Sequence, residues 1–156
     1  MHHTRFKKGI STPELLVVLF LMTLLATLVY YSLSGFKNKQ ALEANVRQVT
    51  ALLEEARSLT LSGRGGLAYS VYFQADRVVR FSGSVYATSS TDNVPYLLDS
   101  SVTISSISLV GGGPSVLFDK ITGKTTTSGT IQLIAVGATS TKKTIVINST
   151  GIIDTQ

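Results

Sequence analysis

One carboxylate in this chain stands where a carboxylate is costly. Glu14 opens the run Leu15–Tyr31, LLVVLFLMTLLATLVYY, seventeen uncharged residues interrupted only by Thr23 and Thr27. An ionised side chain in hydrocarbon costs at least a few kcal/mol, so such a group normally has a partner or a function. Other reactive chemistry is scarce. The chain has no cysteine, which removes disulfides, thiol nucleophiles and thiolate metal sites. Both histidines stand at positions 2 and 3. If the amino terminus is removed, no imidazole is left for acid–base work or zinc binding, and Ser-His-Asp and Cys-His chemistry go with it. Gly123-Lys124-Thr125 has the order of a P-loop ending, but the glycine required five positions earlier is Phe118. Glu54 and Glu55 are neighbours, about 100° apart on a helix, and do not face one substrate together. No catalytic residue, cofactor or metal site is expected.

The elements that would position Glu14 follow from the spacing of apolar residues. Leu15–Tyr31 with the turn before it spans roughly 28 Å as a helix, close to the ~30 Å hydrocarbon core of a bilayer. Arg5, Lys7 and Lys8 precede it and supply +3 of a net +5. The positive-inside rule keeps them cytoplasmic and sends everything after Tyr31 outside. Beyond Gly35 the apolar residues become Leu42, Val46, Val49, Leu53 and Ala56, alternating steps of four and three that mark an amphipathic helix. Lys39, Glu43 and Arg47 lie four apart on its solvent side. One nearly continuous helix is expected from about Ser11 to Leu61, with a bend at Ser34-Gly35 and an end at Gly63, Gly65 and Gly66.

The remainder reads as strands. Tyr69, Val71 and Phe73 alternate with polar or half-polar neighbours, and Val78–Phe81 follows a short Ala75-Asp76 turn. Further strands are expected over 102–110, 115–118, 130–136 and 144–148, with Gly111-Gly112-Gly113-Pro114 as a hairpin turn. Residues 81–156 hold 26 Ser and Thr but only 8 formal charges, which suits an antiparallel sheet with threonine-studded exposed faces. The fold class is therefore α+β: a long amino-terminal helix, transmembrane in its first half and amphipathic in its second, packed on an antiparallel sheet. The expected divisions are a basic leader 1–9, a transmembrane half 10–34, an amphipathic half 35–62 and a sheet domain 63–156.

The most specific stretch is Lys7-Lys8-Gly9-Ile10-Ser11-Thr12-Pro13-Glu14-Leu15-Leu16. It resembles the amino-terminal signal of the type IV pilin and pseudopilin superfamily, which joins a basic leader to a Gly-hydrophobic junction and a glutamate at the fifth mature residue. The resemblance implies that a membrane prepilin peptidase cuts between Gly9 and Ile10 and that the new amine of Ile10 is N-methylated. Glu14 then takes the fifth-residue role in assembly, pairing with the amino-terminal ammonium of a neighbouring subunit. Two departures stand in the motif: Ile10 replaces the commoner phenylalanine, and Thr12-Pro13 replaces two apolar residues. Proline in a first helical turn is harmless, because its missing N–H has no intrahelical partner there. Val116–Asp119 through Gly123, Ser128–Leu133, Lys143–Asn148 and Gly151 further resemble the carboxyl-terminal half of H-type minor pseudopilins of type II secretion and FimT-like minor pilins. The stretch 82–115 resembles no family.

Plainer readings stand beside this one. Glu14 could close a capping box with Ser11. Ser32-Leu33-Ser34 offers a small-x-small signal-peptide site before Gly35, although the apolar run exceeds the usual 7–15 residues. The expected function is thus a minor pilin or pseudopilin precursor of a type II secretion pseudopilus or type IV pilus, a single-pass inner-membrane protein whose partners are the membrane, prepilin peptidase, other subunits of a helical filament and secretion cargo. The alternatives are a DNA-capturing minor pilin of a competence system and a secreted or anchored β-rich adhesion domain. DNA is not expected as a partner, because the tail Gly151–Gln156 has no arginine and one acid; Arg77 with Arg80 and Lys142 with Lys143 are the basic pairs left to touch phosphates.

Overall fold

The computed structural model describes residues 11–156, leaving out the side chains of 29–35, 64 and 138–140. The chain divides into two compact units, Met1–Lys37 and Asn38–Gln156. Helix α1, Thr12–Leu61, contributes to both. It starts with the amide of Leu15 donating to the Ser11 carbonyl at 3.1 Å and stops two residues before Gly63. The Ser34-Gly35 position and the Ser32-Leu33-Ser34 site fall among the residues left out of the side-chain description.

In the second unit, the expected stripe of Leu42, Val46, Val49, Leu53 and Ala56 is buried, joined by Leu52. It packs into one core with residues of both sheets, among them Val71, Phe73, Val116, Ile131 and Ile145. Positions spaced by three and four share one side of a helix, so a stripe of this kind covers a sheet while the intervening residues stay wet.

The strands are β1 (Tyr69–Phe73), β2 (Arg77–Ser82), β3 (Val94–Leu97), β4 (Val102–Leu109), β5 (Ser115–Leu117), β6 (Gly129–Ala135), β7 (Ala138–Ile147) and β8 (Ile153–Thr155). They form two four-stranded sheets, ordered β3-β2-β1-β5 and β4-β6-β7-β8, where the sequence suggested a single sheet. All pairings are antiparallel. The first sheet sets Val71 opposite Arg80 and Val116, and the second sets Ile131 opposite Ile107 and Ile145. The register of β4 against β6 shifts between Ile104 and Ser106, so the short Ser105 step absorbs a bulge that keeps Ile104 and Ile107 on the core side.

Two strands escape the sequence reading. β3 carries Pro95 and leaves three of its four residues exposed, and β8 has three residues, none buried. Neither has an alternation to detect. Pro95 is tolerated because β3 lies at a sheet edge, where a missing N–H disrupts no second ladder.

Candidate functional site

The amino half of α1 is the segment that the sequence marked for function. Every residue from Ser11 to Leu28 is exposed. Its apolar side chains point outward on all sides: Leu16 is 62% exposed, Phe20 65% and Met22 66%. Its two hydroxyls are turned onto their own helix, Thr23 donating to the Phe20 carbonyl and Thr27 to the Leu24 carbonyl, both at 2.8 Å. Back-bonding of this kind removes a polar demand from the surface. The described apolar surface therefore asks for an apolar environment along its length.

Glu14 lies in the first turn of α1 and is exposed. Among the described residues its carboxylate has no hydrogen-bond or ion-pair partner, and no side-chain bond joins it to Ser11, so the capping box is absent. Gly9 and Ile10, the expected cleavage and methylation positions, lie outside the described residues, as do Arg5, Lys7 and Lys8. Among the described residues no helix is long and apolar enough to cross a membrane. The expectation of a transmembrane first half is accordingly not supported: the described apolar surface ends at Leu28, and the side chains of 29–34 that would lengthen it are outside the description.

A second locus forms where α1 ends. The turn between β5 and β6 is built by Asp119, whose carboxylate accepts the amides of Ile121 at 2.8 Å and Thr122 at 3.1 Å. Those amides, the Ile121 N–H foremost, hold the Asp119 pKa below its ordinary value of 3.8. The Gly123 amide donates back to the Asp119 carbonyl, and the Gly123 carbonyl accepts Arg57 Nε from α1 at 3.0 Å. Gly123 and Gly151 are both glycine for cause. Each has positive φ, +64° and +79°, and a Cβ on Gly151 would stand 1.9 Å from the Gly123 carbonyl oxygen. Of the residues that carried the carboxyl-terminal resemblance, Asp119, Thr122, Gly123 and Gly151 thus meet at one turn against the helix, while Ser128–Leu133 and Lys143–Asn148 fall largely within β6 and β7.

An open hollow of about 550 Å³ borders this turn, lined by Phe118, Asp119, Thr122, Lys124 and Ser149 among others. Its carboxylate is committed to the turn, so it offers no poised acid or base. Gly123-Lys124-Thr125 is part of the same turn between strands, not a strand-to-helix phosphate loop. Among the described residues no group of three or more His, Cys, Asp or Glu is placed to hold a metal ion.

The basic pairs do not make a patch. Arg77 is held by Asp76 at 2.7 Å. Arg80 points to the opposite face of β2, 15% exposed, with Nη2 at 3.7 Å from Glu55 and its guanidinium 5.6 Å from the Tyr69 ring centre. Lys142 and Lys143 likewise alternate between faces of β7. Glu54 and Glu55 are both exposed, as expected of solvated carboxylates, and Glu55 also faces Arg80.

Sequence reasoning missed three polar groups on the buried side of α1. Asn45, 3% exposed, accepts the Asp99 amide at 3.1 Å and the Tyr96 hydroxyl at 3.3 Å. Thr60, fully buried, accepts the Tyr69 amide at 2.8 Å. Arg57 is the third. Asn45 and Thr60 sit at stripe-like spacing, which is the only signal that could have placed them inside.

The carboxyl half of a long helix packed on two antiparallel sheets within the second unit defines an α+β fold of the pilin type. Among solved structures, the chain is similar to the type IV minor pilin FimU of Pseudomonas aeruginosa, with a TM-score of 0.57 and 18% sequence identity, covering 78% of this chain and 92% of that one. No protein-family model and no curated protein matches the sequence.

Proposed function

We propose that this chain is a minor pilin or pseudopilin precursor, a non-enzymatic structural subunit that enters a helical filament through the amino half of α1. The observation that carries the reading is the pairing of a pilin-like fold with a helix segment whose apolar side chains are exposed on every side. An all-round apolar helix is at rest only in lipid or packed among other apolar helices. In this reading the subunit waits in the inner membrane with its amino terminus cytoplasmic, and prepilin peptidase cuts between Gly9 and Ile10. N-methylated Ile10 then enters the filament core, where Glu14 meets the ammonium of a neighbouring Ile10. Head-to-tail contacts that do not close give a filament and not a ring. The carboxyl-terminal resemblance to H-type minor pseudopilins and FimT-like minor pilins favours a minor over a major subunit.

Intact mass spectrometry of protein taken from the native membrane tests this. The expected terminus is N-methyl-Ile10; a terminus at Gly35 overturns the pilin reading in favour of a secreted domain.

A further inference from the structure

We propose that Asn45, Arg57 and Thr60 form a shear clamp that fixes the axial register of α1 against the sheets, so that the second unit resists being pulled along its own helix. The clamp concerns the mechanics of the unit itself, and only its usefulness rests on the filament reading.

The apolar stripe by itself holds α1 laterally better than it holds it axially. Hydrophobic attraction is non-directional and scales with buried area. A slip of one turn, about 5.4 Å, moves Val46 towards the place of Leu42 and exchanges one apolar contact for another. Hydrogen bonds behave differently, because they weaken steeply once distance or angle leaves a narrow range. A helix tied at several heights by such bonds loses all of them together when it slides.

The three ties reach three separate parts of the sheets. Asn45 Oδ1 accepts the Asp99 amide in the connection from β3 of the first sheet to β4 of the second. Its Nδ2 donates to the Ala41 carbonyl at 2.8 Å, which leaves the side chain little freedom to swing. Arg57 Nε donates to the Gly123 carbonyl in the connection from β5 to β6, again a crossing between sheets. Thr60 Oγ1 accepts the Tyr69 amide at the first residue of β1 and donates to the Ala56 carbonyl at 2.8 Å. The ties span residues 45 to 60, about 22 Å of helix. They engage the sheet connections at both ends of that length, so an axial load reaches all three at once. A load across the helix would open the interface from one side and meet them in turn.

The chain has no cysteine, so paired cysteine substitutions supply unique handles for single-molecule pulling on the full-length protein in detergent. Lys39→Cys with Ser149→Cys loads α1 lengthwise, because the amide of Thr125 donates to Ser149 beside the turn that Arg57 holds. Arg47→Cys with Thr155→Cys loads it sideways, since these residues line one cavity. The rupture force should be higher lengthwise than sideways. Asn45→Leu and Thr60→Val should lower the lengthwise force more than a Leu53→Ala variant that melts at the same or a lower temperature, while the sideways forces of all three follow their melting temperatures. Equal lengthwise and sideways forces in the parent, or a lengthwise force that merely follows melting temperature across the variants, overturns the clamp. Failure of the chain to enter filaments bears on the filament reading and leaves these forces as they are.

Discussion

Glu14 and Gly151 are single residues whose substitutions have opposite kinds of consequence. Glu14 has no partner among the described residues, so replacing it removes no bond from the folded chain; if its role is to meet a neighbouring ammonium, the loss shows only on assembly. Glu14→Ala and Glu14→Gln should both leave the fold unchanged, insert at least as readily, and be depleted alike from sheared filaments measured by quantitative immunoblot. Glutamine keeps the hydrogen-bonding shape without the charge, and its recovery at the parent level would remove charge pairing from the account. Gly151 behaves the other way. Gly151→Ala forces a Cβ onto the Gly123 carbonyl in a backbone conformation with positive φ, whereas Gly137, also at φ +79°, has nothing within 4 Å of its would-be Cβ. Both alanines suffer the backbone penalty of roughly 1 kcal/mol, but only the first meets a wall. Urea denaturation should therefore show Gly151→Ala losing at least about 1 kcal/mol more than Gly137→Ala, a typical size for a steric fault of this kind. Equal losses would mean that the loop yields freely.

Among the elements, α1 has two halves of different character because its apolar residues are spaced differently. Leu53 lies wholly buried in the stripe, and Leu16, 62% exposed, lies outside any core. Leu53→Ala should cost about 2–5 kcal/mol through lost burial and the cavity left behind. Leu16→Ala should leave the denaturation midpoint in detergent within about 0.5 kcal/mol of the parent, as exposed substitutions do. A midpoint for Leu16→Ala as low as that of Leu53→Ala would show that the amino half packs on the rest of the chain. The helix was legible from the sequence because fifteen residues of stripe, from Leu42 to Ala56, repeat a period of 3.6 more than three times. β3 and β8 were not, because four and three residues carry no period, and Pro95 argues against a strand until its edge position is known.

For the whole molecule, the division into Met1–Lys37 and Asn38–Gln156 makes a direct prediction. The second unit contains both sheets and the whole buried stripe, so the fragment 38–156 should fold without detergent. It should be monomeric by size exclusion and show mixed helix and strand by circular dichroism; persistent aggregation would place an apolar contact surface inside this unit. What the sequence determined by itself is everything that depends on local order: a long helix whose character changes along its length, a carboxylate at the front of an apolar run, and a strand-rich remainder. Such properties follow from the periodicity and polarity of neighbouring residues. Only the tertiary structure decided that the strands form two sheets, because antiparallel pairing joins residues far apart in the chain and any of several partners satisfies the same alternation. It alone brought Arg57, Gly123 and Gly151 to one point, and it alone turned Asn45 and Thr60 inward. A polar side chain on an apolar stripe is costly unless it finds partners, and theirs, at Asp99 and Tyr69, exist only once the loops have closed over the helix.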